Sequence, residues 1–140
     1  MKQEDKELLL KDLCARLPYR VKCKYYDCCE GDYDEGAICG FERQEYIQID
    51  GVCIHVEEVR PYLFPLSSMT EEQKKECNFA DDLDSDILDA ALCTNHYYRT
   101  GIPAVTYNLV DWCIKNHFDY RGLIPMGLAK DATGLNIYGV

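Results

Sequence analysis

The segment Glu45-Tyr-Ile-Gln-Ile-Asp50-Gly51-Val-Cys-Ile-His-Val56 constrains the fold more than any other stretch of the chain. Two alternating runs flank Asp-Gly, the dipeptide that supplies the positive φ angles of a two-residue hairpin turn. The spacing predicts a β-hairpin with Ile47, Ile49, Val52, Ile54 and Val56 toward the core and His55 facing away from Ile54.

The preceding segments supply further strands. Tyr19-Arg-Val-Lys-Cys-Lys-Tyr-Tyr26 alternates, with Val21, Cys23 and Tyr25 on one face and Arg20, Lys22, Lys24 and Tyr26 on the other. An acidic, Gly-flanked turn over 30–36 then leads into a short strand around Ala37 to Phe41. Three to five such strands between 19 and 63 predict a small antiparallel twisted sheet or a partly closed barrel. Ahead of them, Leu9, Leu10, Leu13, Cys14 and Leu17 form one helical stripe that Pro18 ends.

After the hairpin, Arg60-Pro-Tyr-Leu-Phe-Pro-Leu66 reads as an extended connector, since its two prolines block a ladder or a helix. Ser68-Met-Thr-Glu71 and Thr70-Glu-Glu-Gln73 each have the spacing of a capping box, so a helix starts here and runs to about Cys77. Asp84 or Ser85 caps another, with Ile87, Leu88, Ala91 and Leu92 as its stripe and Gly101 near its end. A last helix over about 105–117 presents Leu109, Trp112, Cys113 and Asn116. Beyond it, Gly122, Pro125, Gly127 and Gly134 interrupt any long periodicity. The expectation is a single α+β domain over 1–140. It has a helix to residue 18, a sheet or barrel over 19–63, and from 64 a mainly helical part with an irregular C-terminal extension.

Charge limits the function classes. A net charge of −10 on 140 residues argues against general nucleic-acid binding, although it leaves room for a local basic pocket. The acids gather at Asp27, Glu30, Asp32, Asp34 and Glu35 and at Asp81, Asp82, Asp84, Asp86 and Asp89, where a solvated loop and a solvated helix start account for them. No apolar run approaches the roughly 20 residues of a membrane-spanning helix. The nine cysteines are odd in number and follow a charged start, Met1-Lys-Gln-Glu-Asp-Lys-Glu, which points to a reducing cytoplasm. They contain no C-x-x-C, and Cys28-Cys29 lies far in sequence from His55, His96 and His117. Small buried hydrophobes explain most of them better than zinc.

The catalytic and cofactor motifs fail one by one. Gly122-Leu-Ile-Pro-Met-Gly127 has the two glycines of a phosphate loop but lacks the lysine and hydroxyl that should follow. Asp82-Leu-Asp84-Ser-Asp86 begins like a calcium loop, yet Ile87 and Cys93 occupy its glycine and closing-glutamate positions. Cys113, His117 and Asp119 sketch a thiolate, base and orienter, but Cys113 shares the buried stripe with Trp112. No cofactor and no metal site is expected, and no enzyme.

A binding role remains. Trp112, His117, Tyr120 and Arg121 combine an aromatic plate, two polar tips and a guanidinium, the groups that stack a base and grip a phosphate. The bland alternative makes Trp112 and Phe118 core and pairs Asp119 with Arg121 to fix a turn. Arg20, Lys22 and Lys24 form a second basic candidate, against which stands the plainer reading of an exposed strand face whose lysines discourage edge pairing.

Three strings, Lys2 to Tyr19, Glu58 to Gln73 and Asn116-His-Phe-Asp-Tyr-Arg-Gly-Leu-Ile-Pro-Met-Gly-Leu-Ala129, resemble small, largely uncharacterised proteins of Bacteroidales phages, prophages and mobile elements. Stretches 27–44 and 78–100 lie outside the likeness. The resemblance implies a phage setting in a host cytoplasm and brings no activity or site residues. Small phage accessory proteins often counter host defence by sequestering a nucleotide signal or binding a protein. The expected partner is accordingly a small anionic, nucleotide-like ligand at Trp112, His117, Tyr120, Arg121, Arg20, Lys22 and Lys24. The alternative is an interaction module that inhibits or adapts a host or phage protein, docking it through the sheet and the Tyr/Phe-rich 60–66 segment. Homo-oligomerisation is left open.

Overall fold

A computed structural model describes residues 1–77 and 110–138. Helix α1 (Gln3–Arg16) leads through a 3-10 turn into β1 (Lys22–Asp27), β2 (Asp32–Arg43), β3 (Tyr46–Ile49), β4 (Val52–His55) and β5 (Val59–Pro65). Helix α2 (Glu71–Cys77) follows, and then a helical stretch over 110–115, α3, with the two-residue strands β6 (Phe118–Asp119) and β7 (Lys130–Asp131). The class is α+β, as the sequence pattern implies. The predicted helix over 84–101, the acidic run 81–89, His96 and the start of the 105–117 helix lie outside the described residues.

The sheet is open, in the order β4-β3-β2-β1-β5-β6, with β7 also on β5. It is mixed where an antiparallel sheet or barrel was expected, because β6 and β7 both run parallel to β5. The Leu63 carbonyl accepts from Ala132 N–H while the Phe64 N–H donates to the His117 carbonyl. Those two groups of one trans peptide point to opposite edges, so β7 extends the β1 side of β5 and β6 takes the other.

Residues 60–65 of the expected connector are therefore strand within the sheet, and Leu66 opens a 3-10 turn. Proline allows extended backbone and removes only a donor, and here Pro61 faces Cys23 of β1 while Pro65 is the last residue of its strand. The acidic stretch 32–36 is likewise strand, the turn being confined to 28–31. Asp32 and Asp34 accept the backbone N–H groups of Tyr33 and Glu35 at 2.7 and 2.8 Å, and the segment is paired along its length with β1. At the hairpin, Asp50 and Gly51 take φ angles of 48° and 83° as the Asp-Gly turn requires. The capping box at Thr70 forms reciprocally with Gln73 at 2.9 and 3.2 Å.

Leu9 and Leu13 of α1 pack on Val21, Cys23, Ile47, Ile49, Val59 and Leu63 from the inner face of the sheet. Burying each leucine contributes about 2 kcal/mol. The buried stripe of α1 also contains two charges, Asp12 and Arg16, while Cys14 faces solvent. Cys28, Cys29, Cys39 and Cys53 are exposed as well, and among the described cysteines whose burial is defined only Cys23 and Cys113 are interior. Strand alternation and the 28–31 turn turn these thiols outward, against the expectation of small buried hydrophobes. Among the described residues, no helix is long and apolar enough to cross a membrane.

Candidate ligand groove

The structure separates the residues singled out in the sequence. Trp112 and Tyr120 are buried with Leu66, Met69, Cys113 and Phe118 in a second apolar cluster. Arg121 directs its Nε to Asp12 Oδ1 at 3.1 Å, and its guanidinium lies 4.7 Å from the Tyr120 ring centroid. Asp12 meets Arg16 with its other oxygen at 2.8 Å, and Arg16 reaches the Phe118 carbonyl at 2.6 Å. A carboxylate held between two guanidinium groups thus ties α1 to the C-terminal segment. Asp119, the turn residue expected to pair with Arg121, instead accepts the N–H groups of Leu123 and Ile124, both at 2.9 Å. Burial still holds its carboxyl above the ordinary value.

His117 adopts a left-handed φ of 66° and stacks on Tyr138, with ring centroids 3.8 Å apart and planes 8° from parallel. Burial, with Arg16 and Lys22 nearby, pulls its pKa down to about 4, so the ring is neutral near pH 7 and offers a phosphate no charge. Cys113 is fully buried, a poor setting for a nucleophile that must meet substrate.

The second basic candidate divides. Arg20 lies outside β1 in a left-handed conformation with φ 53°. Lys22 donates Nζ to the Ile137 carbonyl at 2.7 Å, under the C-terminal segment. Lys22 also borders a hollow that it shares with the carboxylates of Glu35 and Asp50, whereas Lys24 opens onto a groove that holds further cations.

That groove, of ≈ 380 Å³, is lined by Lys24, Tyr33, Glu57, Glu58, Arg60 and Lys130. Register builds it: Lys24 of β1 stands opposite Arg60 of β5, and Lys130 of β7 pairs with the next outward position, Tyr62. Arg60 is braced by the carbonyls of Gly127, Glu57 and Val59 at 3.0, 2.8 and 2.8 Å, contacts that fix the guanidinium without neutralising it. Lys24 stands across from Glu35, but that carboxylate accepts the Tyr62 hydroxyl at 2.6 Å. Among the described residues no carboxylate pairs with Lys24 or Lys130. Glu57 is held by Lys6 at 2.9 Å, and this hydrogen bond keeps its carboxyl below the ordinary value.

Sequence reasoning missed Tyr33, Arg60 and Lys130, which lie in segments read as a turn, a connector and a tail. Only the alternation that places Lys24 outward pointed here. No family model matches the chain, and no curated protein or solved structure matches it.

Proposed function

We propose that this chain is a non-catalytic binding protein that takes up a small phosphate-bearing anion in the groove between Lys24, Arg60 and Lys130. The carrying observation is the convergence of three cations, two of them without a carboxylate partner among the described residues, on a protein of net charge −10. Fixed guanidinium and mobile ammonium groups are the usual grip for phosphate oxygens. In the phage setting that the resemblance implies, such a groove would sequester a nucleotide-like signal and so counter a host defence.

The alternative of a protein-docking module at 60–66 has less support, because Pro61, Tyr62 and Leu63 are buried in the sheet. Calorimetric titration of the full chain with pyrophosphate tests the anion reading. Binding should weaken about tenfold in Lys24→Gln and in Lys130→Gln, the loss typical of one charge-assisted hydrogen bond. It should also fall with added salt. Absence of binding, or affinity that neither variant changes, would overturn the assignment.

A further inference from the structure

Tyr33 is the outlier among the aromatic residues of the sheet. It sits on β2 with 62% of its surface exposed, more than any other large hydrophobic among the described residues. Core packing does not explain it there. One side of the ring carries Lys24, whose Nζ lies 5.1 Å from the centroid. Tyr26, its cross-strand partner, meets it edge-on with centroids 5.2 Å apart and planes at 66°. At that exposure part of the ring stays open to solvent, and Tyr33 is itself a lining residue of the cationic groove.

Lys24 links the two halves of the groove. Its ammonium lies against Tyr33, and across the strand it faces Arg60, at the close side-chain spacing of an opposed antiparallel pair. A ligand that stacks on the open part of Tyr33 from within the groove has Lys24 and Arg60 among the cations lining the same space. Among the described residues the groove presents a single aromatic plate, and its ≈ 380 Å³ lies at the small end of ligand sites.

We infer that the ligand is a phosphate ester carrying one planar base, a mononucleotide, with the base on Tyr33 and the phosphate between Lys24 and Arg60. This rests on the anion-binding reading and narrows it. Stacking on an aromatic side chain depends little on base identity, so purine and pyrimidine mononucleotides should both enter, purines more tightly. Glu57 and Glu58, on the same rim, disfavour ligands whose phosphates extend beyond Lys24 and Arg60, as in nucleic-acid strands.

Calorimetry on the full chain with AMP, ribose 5-phosphate, pyrophosphate and a cyclic dinucleotide tests the inference. AMP should bind at least tenfold more tightly than ribose 5-phosphate, and the cyclic dinucleotide no more tightly than AMP. Tyr33→Leu should erase the advantage of AMP while leaving pyrophosphate affinity within twofold, and Tyr33→Trp should preserve it. Equal affinities for AMP and ribose 5-phosphate would overturn the inference and leave the anion reading standing. So would an equal loss of AMP and pyrophosphate in Tyr33→Leu, or a preference for the cyclic dinucleotide. Failure of every probe, pyrophosphate included, would remove both.

Discussion

Arg16 donates to the carbonyl of Phe118 across 2.6 Å, joining α1 to β6 over 102 positions of chain. The same guanidinium binds Asp12, whose second oxygen holds Arg121, and all three side chains are almost wholly out of water. Such a network is costly to break because each charge relies on the others for the solvation it lost. Arg16→Ala would leave Asp12 with a single cation and the Phe118 carbonyl without its donor. The expected loss is about 3–5 kcal/mol, read as a lower urea midpoint. A change below about 1 kcal/mol would show that water or neighbouring side chains replace the arginine at little cost.

Gly36 and Asp50 meet where β2 passes the hairpin turn. A Cβ on Gly36 would run into the Asp50 carboxylate and come within 2.8 Å of Ile49 Cγ2. Ile49 is fully buried and has little room to yield. Gly36→Ala should therefore cost about 1–3 kcal/mol. Adding Asp50→Gly should return part of that loss by removing one of the two colliding groups. The check is a double-mutant cycle by urea denaturation, in which purely additive effects would contradict the geometry.

The outline of this fold was legible where local chemistry decides it. Asp50-Gly51 fixes a turn by its φ angles, and Thr70 with Gln73 satisfies the orphan amides of a helix start whatever surrounds them. Outcomes set by distant partners were not legible. Asp12 and Arg16 look like solvent-facing charges on α1 until Arg121 and Phe118 arrive from the far end of the chain. Pro61 and Pro65 argue against a strand until β1, β6 and β7 supply the pairing. The groove was hidden for the same reason. Lys24, Tyr33, Arg60 and Lys130 come from four strands, and only register brings them together.

The burial of His117 makes stability depend on pH in a definite direction. Its folded pKa of about 4 lies below the unfolded value near 6.5, so between these limits the unfolded chain binds a proton that the native chain does not. Stability should fall as pH drops from 6.5 toward 4. The loss is on the order of 2 kcal/mol once partial exposure is allowed for. Asp119 acts in the opposite sense, because its raised pKa lets the native state take up a proton first as pH falls toward 3.8. His117→Gln isolates the histidine. The difference in urea stability between wild type and variant should change across pH 4–6.5 and stay flat above 7, and a difference that ignores pH would contradict the assigned ionisation.

Tyr138 closes the C-terminal segment over the sheet with one hydroxyl. Its oxygen accepts the Lys22 N–H at 3.0 Å and donates to the Tyr62 carbonyl at 2.7 Å, while its ring stacks on His117 and lies 5.9 Å from Phe64. Burial raises the phenol well above its ordinary value, so the hydroxyl keeps its proton and stays a donor near neutral pH. Tyr138→Phe keeps the stack and deletes the bridge, which should cost about 1–2 kcal/mol for the two backbone groups left behind. Tyr138→Ala should cost more, since it also uncovers Phe64 and His117. The local readout is hydrogen exchange at the Lys22 amide, which should quicken in Tyr138→Phe while the amides of the β3–β4 hairpin keep their wild-type rates. Unchanged exchange at Lys22 would mean that β1 holds this amide without the tyrosine, and the segment that follows β7 would then be a passive cover.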